Sequence, residues 1–116
     1  MRNKRTIVFD FDGVIHKYNS GWKGVDVIPD EPVEGIRDVI ADLRKDYRVT
    51  VVSSRCSRDE GVKAVKQWLK DNDIQVDEVT GVKVPAIAYI DDRAINFNGK
   101  ADELRDKIRN FRTWLQ

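Results

Sequence analysis

The chain predicts an α/β domain built on a mostly parallel sheet with right-handed crossovers. Short apolar runs rich in β-branched residues alternate with one-faced helical patterns of about three turns. Three of those runs stop at polar clusters: Asp10-Phe11-Asp12-Gly13, Ser53-Ser54-Arg55 and Asp91-Asp92-Arg93. A length of 116 residues suits one domain. Surface scaling gives ~6,500 Å² folded against ~19,400 Å² unfolded, enough burial for one core without staples.

The elements follow in order. Thr6-Ile7-Val8-Phe9 reads as a buried first strand ending at Asp10. Residues 14–31 carry Gly21, Gly24 and Pro29 among scattered apolar positions, so a loop or small hairpin follows. Beyond Pro32, which suits a first helical turn, Ile36, Val39, Ile40 and Leu43 fall at i, i+3, i+4 and i+7. Residues 49–52 form a second strand. Ser57-Arg58-Asp59-Glu60 has capping-box spacing and opens a helix with Val62, Val65, Trp68 and Leu69 on one side. Residues 74–79 predict a third strand, 81–85 a turn, 86–90 a fourth strand and 95–99 a short extended piece. Leu104, Ile108, Phe111 and Leu115 mark a closing helix. With no internal repeat and no linker, residues 1–116 are expected to be one domain, with 14–31 as a flap beside the site.

Composition narrows the function. Hydrophobic residues are 41% and charged residues 35%, with 21 basic and 20 acidic side chains leaving a net charge of +1. That balance argues against a general polyanion binder, which needs a basic excess, and against intrinsic disorder. The single cysteine, Cys56, excludes an internal disulfide. Together with the single histidine, His16, it excludes a Cys/His zinc cluster. Any metal must be held mainly by oxygen, which selects a hard cation such as Mg²⁺. No apolar run approaches ~18 residues, so no membrane span is expected. The basic start is followed only by Ile7, Val8 and Phe9 before Asp10, too short for a signal-peptide core, and the expected location is cytoplasmic. No Walker A pattern occurs, which excludes a P-loop kinase.

In an open parallel sheet ligands bind beyond the carboxyl ends of the strands. Asp10 and Asp12 end the first strand, Ser53 and Ser54 the second, Asp91 and Asp92 the fourth, with Lys83 eight residues ahead of that last pair. Acids brought together on one rim repel unless a cation sits among them, so a bound divalent metal is expected. Side chains two apart on extended chain point the same way, so Asp10 and Asp12 are both expected to face the site, with Gly13 turning the chain away. One carboxylate could attack as a nucleophile and the other move protons, while serine and lysine hold an anionic group. Phosphoryl transfer fits these parts.

Asp10-Phe11-Asp12-Gly13-Val14, Ser53 after an apolar strand, Lys83, and Asp91-Asp92 occur in the order of the four motifs of the haloacid dehalogenase-like superfamily of phosphohydrolases, which this sequence resembles over residues 6–93. The resemblance implies a three-layer, Rossmann-like domain with helices on both faces of the sheet. It implies a Mg²⁺-dependent phosphatase working through a phosphoaspartate on Asp10, with Asp12 as general acid and base. Mg²⁺ would be held by the Asp10 carboxylate, the Asp12 main-chain carbonyl and the pair Asp91 and Asp92. Ser53 would hydrogen-bond the phosphoryl group, and Lys83 would pair with Asp10 and the phosphoryl oxygens. Gly13, Ser54 and Arg55 are the further substrate-binding candidates. The short gaps between motifs look like the capless subgroup.

The expected substrate is a phosphorylated small molecule such as a nucleotide. The alternatives are a phosphorylated nucleic acid end, a phospho-acceptor signalling domain, and a non-catalytic phosphate-binding domain. A response regulator has its acidic pair after the first strand and its acceptor aspartate after the third, an order absent here. Other residues have plainer expectations. His16 reads as a loop residue, Cys56 as a partly buried thiol, and Arg105, Arg109 and Arg112 as a solvated stripe. Tyr18, Trp22, Lys17 and Lys23 either pack on the domain or stack on a base and steer a phosphate.

Overall fold

Four strands form an all-parallel sheet: β1 (Arg5–Phe9), β2 (Tyr47–Val52), β3 (Glu78–Thr80) and β4 (Ala88–Ile90), in the spatial order β3-β2-β1-β4. These come from a computed structural model that describes residues 3–115; Met1, Arg2 and Gln116 lie outside the described residues. Helices α1 (Ile36–Leu43), α2 (Asp59–Asp71) and α3 (Leu104–Arg109) complete the α/β domain, with 3-10 turns at Ser54–Ser57 and Ala101–Glu103.

Alternation along the strands divides the sheet into two faces. Ile7, Phe9, Val49 and Val51 lie in one core cluster with Ile40 of α1 and Val65, Trp68 and Leu69 of α2. Burying each such side chain contributes about 1.5–3 kcal/mol. Val8 and Thr50 point to the other face. There the link 81–87 runs from β3 to β4 without a helix. The chain grows outward from β1 through β2 to β3, then returns to the far side of β1 to lay down β4. Strand order therefore reverses at β1, and the crevice at the carboxyl ends of β1 and β4 is the switch point where such sheets take ligands.

Several boundaries differ from the sequence pattern. Helix α1 starts only at Ile36: Pro32 is held in an isolated bridge with His16, and Gly35, at φ +82°, lies in the Val33-to-Ile36 turn that precedes the helix. Ser57 does not cap α2; it lies in the 3-10 turn, and Arg58 precedes the helix without a side-chain cap. Strand β3 is confined to Glu78–Thr80. The closing helix stops at Arg109, and Ile108 is exposed, since no sheet face receives the Leu104/Ile108 stripe.

Candidate functional site

The first strand's exit is built by one carbonyl. Phe11 O accepts the N–H groups of Val14, Ile15 and His16, at 3.2, 2.9 and 3.0 Å, and so folds residues 11–16 into a tight loop. Gly13 occupies that loop at φ +85°, and a Cβ there would collide with the Asp92 carboxylate. Gly13 is therefore required twice, for its backbone conformation and for the close approach of Asp92.

Register then assembles the acids. Phe9 pairs with Ile90 in the parallel β1–β4 ladder, so the residues that follow, Asp10 and Asp91, emerge side by side. The Asp10 N–H donates to Ile90 O at 2.9 Å and holds the two exits together. Carboxylate oxygens of Asp10, Asp91 and Asp92 all lie within 4.8 Å of one another. Burial, then the neighbouring charge of Asp91, with smaller contributions from Asp92 and Asp12, raises the Asp10 pKa to about 7, against a partial offset from the Phe11 N–H.

The donor chemistry and the packing both suit a hard cation. All three groups offer oxygen. Both Asp92 oxygens are buried without a hydrogen-bond partner. A carboxylate left that way carries a large desolvation cost unless positive charge reaches it. Asp91 turns back on its own chain, its Oδ1 accepting the Arg93 N–H at 2.8 Å.

Asp12 differs from the expectation that its side chain joins Asp10. Its Oδ1 meets His16 Nδ1 at 2.8 Å, and its Oδ2 accepts Arg55 Nε–H at 2.8 Å. Burial would raise its pKa, but these two donors more than compensate and hold it below the usual carboxylate range. His16 Nε2 accepts the Asp30 N–H at 3.0 Å, which leaves the ring proton on Nδ1, facing Asp12. The imidazole is fully buried against Phe11 and Trp68.

The remaining predicted residues surround this centre. Lys83 shares a cavity of about 310 Å³ with Val8, Asp10, Val52, Tyr89 and Asp91. Ser53 is buried, and its hydroxyl accepts the Arg55 N–H at 3.2 Å, so its own O–H remains available to donate. Ser54 is exposed on the 3-10 turn. Arg55 is entirely buried rather than presented at a rim. A larger groove of about 680 Å³ lies away from Asp10, Asp91 and Asp92, between α2 and β3, and two of its charged residues, Arg44 and Asp77, pair at 2.9 Å.

Sequence reasoning missed the roles of His16, Asp30 and Trp114. The Trp114 indole N–H donates to Gly13 O at 2.6 Å and brings the end of the chain to the first loop. Only the i, i+4 spacing of Asp12 and His16 offered a signal. No family profile, curated protein or solved structure matches this chain.

Proposed function

We propose that the protein is a Mg²⁺-dependent phosphatase that hydrolyses a phosphate monoester through a phosphoaspartate on Asp10, in a three-layer, Rossmann-like, capless domain of haloacid dehalogenase type. One observation carries this: Asp10 stands with Asp91 and Asp92 at the exits of adjacent parallel strands and shares a cavity with Lys83. Asp10, Asp91, Asp92 and the Asp12 carbonyl would hold Mg²⁺, which when bound supplies charge neutralisation between a carboxylate nucleophile and an anionic substrate.

The chain's own groups account for the remaining chemistry. An Asp10 oxygen attacks phosphorus, the bond from phosphorus to the ester oxygen breaks, and Asp12, which must first take up a proton from solvent, passes it to that oxygen. A water then attacks phosphorus, Asp12 takes its proton, and the acyl phosphate bond breaks to regenerate Asp10. Ester and water become alcohol and inorganic phosphate. The Ser53 O–H and the Lys83 ammonium hold the phosphoryl oxygens meanwhile.

The substrate class favoured is a nucleotide or other phosphorylated metabolite in a cytoplasmic setting. A phosphorylated nucleic acid end is the second reading. It is favoured by a groove of about 410 Å³ that Arg93, Arg109 and Arg112 line with Phe111, beside the tail that Trp114 ties to Gly13. The test is a Mg²⁺-dependent phosphatase screen over nucleotides, sugar phosphates and oligonucleotides phosphorylated at either end, with Asp10→Asn alongside. That variant is expected to fold and to lose nearly all turnover. Unchanged turnover removes Asp10 from the mechanism, and turnover that survives exhaustive chelation removes the metal.

A further inference from the structure

We infer that Arg55 is a positioning residue that couples the 14–31 segment to the carboxylate of Asp12, so that the order of the segment sets how well Asp12 serves the leaving group. The second half of that statement rests on the phosphatase reading above; the coupling itself rests on contacts alone.

Arg55 is a guanidinium with no solvent exposure; Nη2 is buried without a hydrogen-bond partner, and the donors on Nε and Nη1 divide between two tasks. Nε donates to Asp12 Oδ2 at 2.8 Å. Nη1 is gathered by three main-chain carbonyls of the segment, Gly24, Val25 and Val27, at 2.7, 3.1 and 3.2 Å. The Trp22 ring covers the guanidinium, 4.6 Å from centroid to Cζ. The planar fork holds these directions rigidly, so moving the carbonyls moves Nε.

A second tie reaches the other oxygen. His16 Nδ1–H donates to Asp12 Oδ1, while Nε2 takes the Asp30 N–H at the far end of the segment. Asp30 in turn accepts the Ser20 N–H and hydroxyl, at 2.8 and 2.6 Å. Both Asp12 oxygens are therefore held by groups that also hold the segment, and each oxygen keeps a lone pair for a further partner. Nε and Nη1 of Arg55 are spent inside the protein, and Nη2, though unpartnered, is shut off from solvent. Because coupling is reciprocal, a change at Asp12 must loosen the segment as surely as a loosened segment frees Asp12.

The test has a structural arm and a kinetic arm. Limited trypsin digestion, with cut sites assigned by mass spectrometry, follows cleavage after Lys17 and Lys23. Arg55→Lys, Trp22→Leu and Asp12→Asn are each expected to speed those two cuts about fivefold or more over wild type, at unchanged cleavage elsewhere. Unchanged cutting in Asp12→Asn and Trp22→Leu overturns the coupling, even if Arg55→Lys fails to fold. In the kinetic arm, wild type and variants are compared on p-nitrophenyl phosphate, whose leaving group needs no proton, and on an alkyl phosphate, whose leaving group does. Arg55→Lys is expected to lose about tenfold more kcat on the alkyl ester, with KM little changed, and Trp22→Leu to show the same selectivity more weakly. Equal losses on both esters make Arg55 merely structural and overturn the positioning role. A wild-type protein inactive on both esters sinks the phosphatase reading and the kinetic half with it, and the digestion then decides the coupling by itself.

Discussion

Asp10 concentrates the electrostatics of the site in one group. Its pKa of about 7 lies above the ordinary value of 3.8, first because it is buried and then because Asp91 and Asp92 stand beside it. A carboxyl whose folded-state pKa is raised binds its proton more tightly in the folded protein. The contribution of Asp10 to folding stability is therefore highest below about pH 4 and falls as pH rises from there through about 7. A cation reverses this by stabilising the ionised form. Thermal melts without metal should show the midpoint falling between about pH 5 and about pH 8. Mg²⁺ should raise the midpoint more at the higher pH. At a hundredfold excess over its Kd, the gain is roughly 2.7 kcal/mol. Asp10→Asn should flatten the metal-free decline, and a decline that persists in it would place the titration elsewhere. The sequence made Asp10 legible through a strand ending in Asp-Phe-Asp-Gly, but spacing did not separate Asp10 from Asp12, and only the family resemblance assigned them different roles. Side-chain alternation predicts a common direction; the Phe11 carbonyl turn bends the chain immediately, and Asp12 joins His16 and Arg55 instead.

Among the elements, β2 and β3 depend on a carboxylate at their entry. The three-residue β3 pairs with β2 only from Thr50 onward, so the N–H of buried Val49 has no strand partner. Asp77 Oδ2 accepts it at 2.8 Å. Arg44, just past α1, grips the same carboxylate with Nη2 at 2.9 Å and Nε at 3.3 Å. Burial opposes ionisation of Asp77, but the Arg44 and Val49 donors outweigh it and hold the pKa below the usual range. Asp77→Ala should cost about 1–3 kcal/mol in urea denaturation at neutral pH, since it strands a buried donor. A depressed pKa contributes stability above the unfolded value of 3.8 and loses it below, so the difference from wild type should close as the solution is acidified past that value. A cost independent of pH would mean that packing, not charge, is responsible. Apolar periodicity made α2 and the first two strands readable, because Val65, Trp68 and Leu69 do face the sheet. It misjudged the closing helix, since an apolar stripe forms a stable helix only where a partner surface receives it.

Across the whole molecule, burial is uneven. The accessible surface is 7982 Å², against the ~6,500 Å² that scaling gives for this mass. The excess is concentrated where the second face lacks a helix. Ile87, Tyr89 and Ile90 around β4 are exposed, as are Phe97, Ile108 and Trp114 beyond it, while Val8 and Phe9 of β1 and Val49 and Val51 of β2 are almost completely buried. Hydrogen exchange should follow this contrast. Amides within β1 and β2 should exchange only through global unfolding, and those of β4 and residues 95–115 about a hundredfold faster or more. Uniform protection across all four strands would show that β4 is as well supported as the centre.

Residue chemistry and apolar period together determined that an α/β sheet would form, that its first and fourth strands would end in acids, and that any metal would be held by oxygen. Both kinds of information are local, carried by residue type and by spacing within one element. Which acids meet was decided only in three dimensions. Asp10 lies beside Asp91 because β4 is laid against β1 and not against β3, its neighbour in sequence. Arg55 turned inward because carbonyls of a distant loop offered its donors better partners than water does at a surface. Pairings across long stretches of chain depend on strand order and loop path, and no spacing along the polymer encodes either.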